Sequence, residues 1–166
     1  GNSMEEWQPT FTYHGFRFVE LTGFREKPSL SDFEGQVIYD EMETTGNLET
    51  SDPMINRIYK NAYWGIRGNY RGMPTDCPQR DERMGWLGDR AVGSQGESYI
   101  FNNHLLYAKW LDDIEQAQKE NGAVPDVAPN YWDVCTDNMT WPGAYLIIAN
   151  MLYDQFGDKQ PIIKHY

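Results

Sequence analysis

Basic side chains are scarce in this chain. Fourteen Lys and Arg stand against 25 Asp and Glu, giving a formal net charge of −11. No basic stripe is available to displace counterions from phosphates, which argues against a nucleic-acid partner. The same deficit argues against an anionic membrane surface. Cysteine is nearly absent: Cys77 and Cys135 are the only two, neither belongs to a CxxC pair, and spacing does not decide whether they form a disulfide. The three histidines, His14, His104 and His165, are too scattered to suggest a metal centre, and no metal or other cofactor is expected. No apolar run reaches bilayer length and no signal-peptide pattern opens the chain. The opening Gly1-Asn-Ser-Met4 reads as a cut point rather than a natural start, so the compartment stays open.

What is abundant is aromatic and acidic. Apolar residues make up 40 % of the chain, enough for a core, and six Trp and eleven Tyr are among them. Most of these rings belong in a core, but flat rings facing a cleft are also how proteins hold sugars. Acid and aromatic concentrate in Pro74-Thr-Asp-Cys-Pro-Gln-Arg-Asp-Glu-Arg-Met-Gly-Trp-Leu-Gly-Asp89. Asp76, Asp81, Glu82 and Asp89 lie here with Arg80 and Arg83, Arg90 follows directly, and Trp86, Pro78, Gly85 and Gly88 share the window. The stretch is too polar for a core element, too broken by glycine for a solvated helix face, and too mixed in sign for a linker.

Residues 1–50 read as β-structure. Thr10–His14 and Phe16–Leu21 alternate, and Gln36–Asp40 and Gly46–Thr50 are further short strand candidates. So few short strands cannot close a sandwich, which makes the segment the end of a β-domain. At Ser51-Asp52-Pro53 the pattern changes. Asp52 suits an N-cap and Pro53 a first helical position, and Ile55, Ile58, Tyr59, Ala62 and Ile66 recur at helical spacing to about Arg71. A second helix is predicted from Asp89 to about Asn102, weakened by Gly93 and Gly96, where close approach of a neighbour is possible. A third runs from His104 to Asn121, with Leu106 or Tyr107, Trp110, Leu111, Ile114 and Ala117 on one face and Gly122 as its stop.

The following aromatic and acidic stretch, Ala123 to Trp141, is a long loop of the kind that carries function. Pro142 opens another helix, with Tyr145, Leu146, Ile148, Ala149, Leu152 and Tyr153 apolar and Gly157 as its stop, and Pro161–Tyr166 reads as a helix just begun. Helices joined by turns and long polar loops suggest an array of α-hairpins, with both ends cut inside domains.

A cluster such as Arg80-Asp-Glu-Arg83 is also what an ion-paired turn looks like. Three features favour chemistry. The proline-containing loop lets Asp76 and Glu82 converge on one point. Trp86 follows Glu82 by four residues, so the two share a face if a helical turn forms. A carboxyl group against an indole in a closed site has its charged form disfavoured, as a general acid requires. Asp89 has an equally good structural use as an N-cap.

Thr75-Asp-Cys-Pro-Gln-Arg-Asp-Glu-Arg-Met-Gly-Trp-Leu-Gly-Asp89 resembles the signature of the bacterial α-L-rhamnosidases, an inverting family with a six-hairpin α/α-barrel catalytic domain. Glu6-Trp7 and Phe11–Glu20 resemble the end of the β-sandwich before that barrel. Ser51–Tyr59 resembles its first helix, and Val124–Pro129 and Asp137–Trp141 resemble later barrel loops. The resemblance implies a mainly α chain with an N-terminal β segment: 1–50 as C-terminal strands of a β-sandwich, 51–166 as the incomplete start of an (α/α)6 barrel. It carries the general acid onto Glu82, contacts to rhamnose hydroxyls onto Asp76 and Arg80, a further acidic site position onto Asp89, and the walls of the sugar pocket onto Trp86 and Trp141. Leu87 departs from the family, which often has Thr there.

Inverting hydrolysis needs an acid for the leaving oxygen and a carboxylate base for water, roughly 6.5–9.5 Å apart. The resemblance puts that base downstream of Tyr166, so the isolated chain is expected to be inactive without the remainder of its catalytic domain. The expected partner is a rhamnose-containing carbohydrate. Two other readings use the same residues: a different α/α-barrel glycosidase, such as a glucosidase or trehalase-like enzyme, and a carbohydrate-binding or structural module that does not cut. Asn138-Met-Thr140 is a formal glycosylation sequon of little weight.

Overall fold

The computed structural model describes residues 4–136 and 138–166. Gly1–Ser3 and Asp137, the first residue of one matched loop, lie outside the described residues. The chain is mainly helical: α1 (Pro53–Arg67), α2 (Leu87–Ala91), α3 (Ser94–Ser98), α4 (His104–Ala117), α5 (Ala144–Phe156) and α6 (Gln160–Lys164), plus a 3-10 turn at Leu30–Asp32.

The four strand candidates before residue 50 are irregular and form no ladder among the described residues; Phe11, within the first, has φ +58°, and only isolated bridges occur, such as Thr44 with Phe101. A strand is defined by a neighbour that takes its N–H and C=O groups, and alternation in the sequence supplies only one side of that pairing. Instead the segment is tied down at points. The Gly15 N–H donates to the Pro78 carbonyl at 2.9 Å, and Asp40 N–H to that of Tyr70 at 3.1 Å. Thr45 and Gly46 both donate to Ile100.

The α1 start is as expected: the Asp52 carboxylate accepts from Met54 N–H at 2.7 Å and Pro53 opens the helix. It ends at Arg67, four residues early, where Gly68 caps it. None of its residues is buried, and Ile55 and Ile58 are exposed. The helix predicted over 89–102 is two short ones. α2 begins earlier, at Leu87, and the chain breaks at Val92-Gly93 before α3 resumes. Asp89 lies inside α2, whose N-cap is Trp86, so the capping role does not apply.

The core is built by α4 and α5. Tyr107, Trp110, Leu111 and Ile114 from α4 meet Ala144, Ile148, Met151 and Leu152 from α5, with Leu87, Ala91 and Ala128 between them. Leu87 is fully buried, an environment that suits its apolar side chain. Leu146 and Tyr153, two of the apolar residues of α5, are exposed, whereas Met151 is buried. α4 stops at Ala117, short of Gly122, whose φ of +85° serves the turn beyond. Gly157 ends α5 with φ +67°, the left-handed conformation that costs glycine least. Among the described residues no helix is long and apolar enough to cross a membrane.

Candidate active site

The loop between α1 and α2 is closed by a clasp. The Asp76 N–H donates to the Met84 carbonyl at 2.9 Å, and Met84 N–H returns a bond to Asp76 Oδ1 at 2.8 Å. Within the clasp, Arg83 has φ +51°, an uncommon conformation for a side chain with a Cβ. That turn brings Glu82 back under Trp86, whose Nε1–H donates to Glu82 Oε1 at 2.7 Å. The two residues meet as expected, but residues 82–85 are not helical, so loop geometry rather than helix periodicity makes the contact.

The other oxygen of Glu82 accepts from Arg80 Nε at 2.7 Å, while Arg80 Nη2 stands 3.6 Å from Asp76 Oδ2. Asp76 and Glu82 therefore do converge, with a guanidinium between them. The Asp76 side chain is 4 % exposed, and its Oδ2 is buried without a hydrogen-bond partner. At 3.6 Å the Arg80 contact is an ion pair without a hydrogen bond, so this buried oxygen keeps acceptor capacity that a ligand hydroxyl would fill. Glu82 also lines an open cleft of about 410 Å³ with Met73, Met84, Pro129, Tyr131 and Trp132. A larger groove of about 540 Å³ runs along α1, but Glu49 is its only carboxylate, and it contains none of the clustered acids.

Trp141 does not line the Glu82 cleft; it packs against Gly88 at the start of α2. Buried Asp126 accepts from Thr136 Oγ1 at 2.6 Å and from Asn138 Nδ2 at 2.7 Å. Asn138 Oδ1 then accepts the Trp141 N–H at 2.9 Å. The sequon amide is thus committed to structure. The indole lies flat against Gly88, where an added Cβ would fall 2.5 Å from Trp141 Cε2. Close approach thus occurs at Gly88; of the two glycines expected to allow one, Gly96 has open space around it, and at Gly93 an added Cβ would fall 3.1 Å from Glu97 Oε1. Trp141 Nε1 is buried and lacks a partner.

Burial raises the Asp89 carboxyl above its ordinary value; its own backbone N–H and Arg90 pull it back, and the charges of Asp76 and Glu82 add to the rise. These mutual effects join Asp89 to the site electrically, although no direct bond to Asp76 or Glu82 is present. Because the folded value lies above the unfolded 3.8, the stability that Asp89 adds is present below 3.8 and is lost as pH rises through the folded value. Asp89→Asn is therefore expected to raise the melting temperature at neutral pH, with the gain shrinking on acidification. Thermal melts across that range check it, and a neutral-pH decrease would show that the ionised form is not disfavoured.

Ligand atoms of Asp76, Cys77 and Glu82 lie within 4.8 Å of one another, as do those of Asp112, Glu115 and His165. In each group a protein cation already sits among the acids: Arg80 in the first, and in the second Lys164, which donates to Asp112 at 2.6 Å. Burial, then a hydrogen bond with Asp76, pushes the Cys77 thiol up, away from the thiolate a metal would need. Both cysteines are free.

Sequence reasoning flagged the loop after α4 without singling out Tyr131 and Trp132, which line the cleft with Glu82. It passed over Glu97 altogether. The one available signal was its spacing of two helical turns from Arg90.

The bacterial alpha-L-rhamnosidase 6 hairpin glycosidase domain matches residues 43–166, and the bacterial alpha-L-rhamnosidase concanavalin-like domain matches residues 1–39. An α-L-rhamnosidase of Streptomyces avermitilis is 40 % identical over 160 residues, covering 96 % of this chain and 16 % of that protein. The structure of an α-L-rhamnosidase from Dictyoglumus thermophilum superposes with a TM-score of 0.93 at 45 % identity, covering 98 % of this chain and 18 % of that one. A crystal structure of the Streptomyces avermitilis α-L-rhamnosidase complexed with L-rhamnose gives a TM-score of 0.91 at 39 % identity, covering 96 % of this chain and 16 % of that one. The chain thus spans less than a fifth of the length of these relatives. Family match, identity and superposition agree: the chain belongs to the bacterial α-L-rhamnosidases, and most of it to their 6-hairpin glycosidase domain.

Proposed function

We propose that this chain supplies the acid half of the active site of an inverting α-L-rhamnosidase, with Glu82 as the general acid. The observation that carries the reading is Glu82 on the wall of an open cleft, its oxygens held by Trp86 and Arg80, beside an unsatisfied Asp76 Oδ2. In the reaction a water oxygen bonds to the anomeric carbon as the glycosidic C–O bond breaks. Glu82 delivers its proton to the departing oxygen, and a carboxylate base takes one from the water.

Arg80 leaves Glu82 for the sugar as the acid takes up its proton; its side chain is 62 % exposed and free to turn. Asp76 Oδ2 accepts a sugar hydroxyl. Trp86 and Trp141 wall the ring, and Asp89 adds negative charge. The base is a glutamate of the catalytic domain outside these residues, so the isolated chain does not turn over substrate. By the same reading residues 1–50 close a β-sandwich and 51–166 begin the barrel.

The enzyme that carries this chain is expected to hydrolyse 4-nitrophenyl α-L-rhamnoside and to release β-L-rhamnose first, as followed by proton NMR. Cleavage of the α-D-glucoside in place of the rhamnoside would overturn the substrate, and initial release of the α-anomer would overturn inversion.

A further inference from the structure

Beneath the site loop lies a buried polar cluster with no part in the chemistry described above. Glu97 of α3 is 4 % exposed. Its Oε2 accepts from Tyr70 at 2.5 Å and from Tyr107 at 2.6 Å, and its Oε1 accepts from Arg90 Nη1 at 2.8 Å. Asn103 Nδ2 donates to the Tyr70 hydroxyl at 3.2 Å. Burial, reinforced by the charge of Glu97, pushes both tyrosine hydroxyls up, so they remain protonated donors. A carboxylate, which only accepts, is the form that takes all three.

Arg90 has a second contact. Its Nε donates to the Thr75 carbonyl at 3.0 Å, on the residue before Asp76. Arg90 itself stands in α2, one turn after Trp86, where the site loop ends. One guanidinium therefore bridges the two ends of the loop that holds Arg80 and Glu82, and Glu97 fixes the plane of that guanidinium from α3. The Thr75 side chain is held from the other side, through Oγ1 to the Asn69 carbonyl at 3.1 Å. A buried ion pair is a weak source of stability, since apolar residues of similar size commonly pack as well. What such a pair provides is direction, because the planar fork of arginine bonds two acceptors at fixed angles.

We propose that Arg90, oriented by Glu97, is a positioning residue for hydrolysis: it sets the Thr75 backbone and, through the Asp76–Met84 clasp, the place of Glu82. This rests on Glu82 being the general acid. The acid matters most when the leaving oxygen is poor and least for a 4-nitrophenolate, so its displacement shows as a split between substrates.

In the whole enzyme, Arg90→Lys keeps the charge beside Glu97 but loses the fork. It is expected to lower kcat on an alkyl α-L-rhamnoside by roughly 10- to 100-fold, the scale of a small misplacement of a catalytic group. The fall on 4-nitrophenyl α-L-rhamnoside is expected to be only a few-fold, with KM little changed on either. Equal falls on both substrates, or a lower melting temperature with kcat per folded enzyme intact, overturn the proposal.

If Arg90→Lys does not fold, Tyr107→Phe removes one donor from Glu97 without changing charge; a smaller split in the same direction is then expected, and its absence overturns the proposal. Wild-type enzyme inactive on both rhamnosides would instead defeat the functional reading beneath it.

Discussion

Glu82→Gln in the full enzyme is expected to cut kcat on an α-L-rhamnoside by about 10²- to 10⁴-fold, the range over which a positioned acid acts. Rhamnose binding should change little. The amide carbonyl can still accept from the Trp86 indole, and Arg80, lacking its second acceptor on Glu82, can turn towards Asp76 Oδ2 at 3.6 Å. The substitution leaves Asp76, Trp86 and Trp141, the proposed sugar contacts, in place, so only the proton is expected to be lost. Turnover kinetics together with calorimetric titration of L-rhamnose measure both quantities. Unchanged turnover would remove Glu82 as the acid. Lost binding alongside lost turnover would make Glu82 a sugar ligand, and a parent that binds rhamnose but never cleaves would favour a carbohydrate-binding module.

Gly85→Ala is the second substitution with a large expected effect. An added Cβ would fall 2.0 Å from the Ala128 carbonyl oxygen and 3.1 Å from Trp110 Nε1. That carbonyl already accepts from Trp110 Nε1 at 2.7 Å, and Ala128 N–H donates to the Gly85 carbonyl at 3.0 Å. Two residues on, Leu87 N–H donates to the Asp126 carbonyl at 2.9 Å. The loop carrying Glu82 is laced here to the loop carrying Tyr131 and Trp132. Backbone obstructs the new methyl, so relief requires the loops to part, at a cost of about 3 kcal/mol, the upper range for overpacking.

Thermal unfolding of the full enzyme should show the loss, and kcat/KM should fall with it because the cleft wall moves. Gly96→Ala is the control: it sits in a helix with nothing within 4 Å of the added Cβ and should leave stability unchanged or slightly improved. Wild-type melting and turnover for Gly85→Ala would refute the close approach of the two loops.

Local chemistry explains what could be read in advance. Asp52 and Pro53 start α1 because an N-cap and a missing N–H are properties of those two residues alone. The α4 face of Tyr107, Trp110, Leu111 and Ile114 is buried because helical spacing puts them on one side. The stretch from Asp76 to Asp89 declared itself by a composition that no core or linker explains. Its resemblance to the rhamnosidases then agreed with the family match and the superposition.

Other features depend on partners far along the chain. Alternation in residues 10–21 marks extended backbone, but a sheet needs a neighbouring strand, and none pairs with it among the described residues. The helix foreseen over 89–102 breaks at Val92-Gly93, and Glu97 turns inward because Arg90 of α2, Tyr107 of α4 and Tyr70 of the loop after α1 offer it three donors. No short sequence window contains all four.

The sequence by itself determined the family and the places of α1, α4 and α5, and it singled out Glu82 as the candidate acid, because caps, periodicity and a dense motif are short-range properties. Only the tertiary structure decided how the Glu82 carboxylate is held. Glu82 meets Trp86 through a left-handed turn at Arg83 rather than along a helix, and the loop beneath it is fixed by a buried arginine–glutamate pair. Those contacts form when separate elements pack, and the free energy of a buried charge is set by the donors around it rather than by its neighbours in sequence.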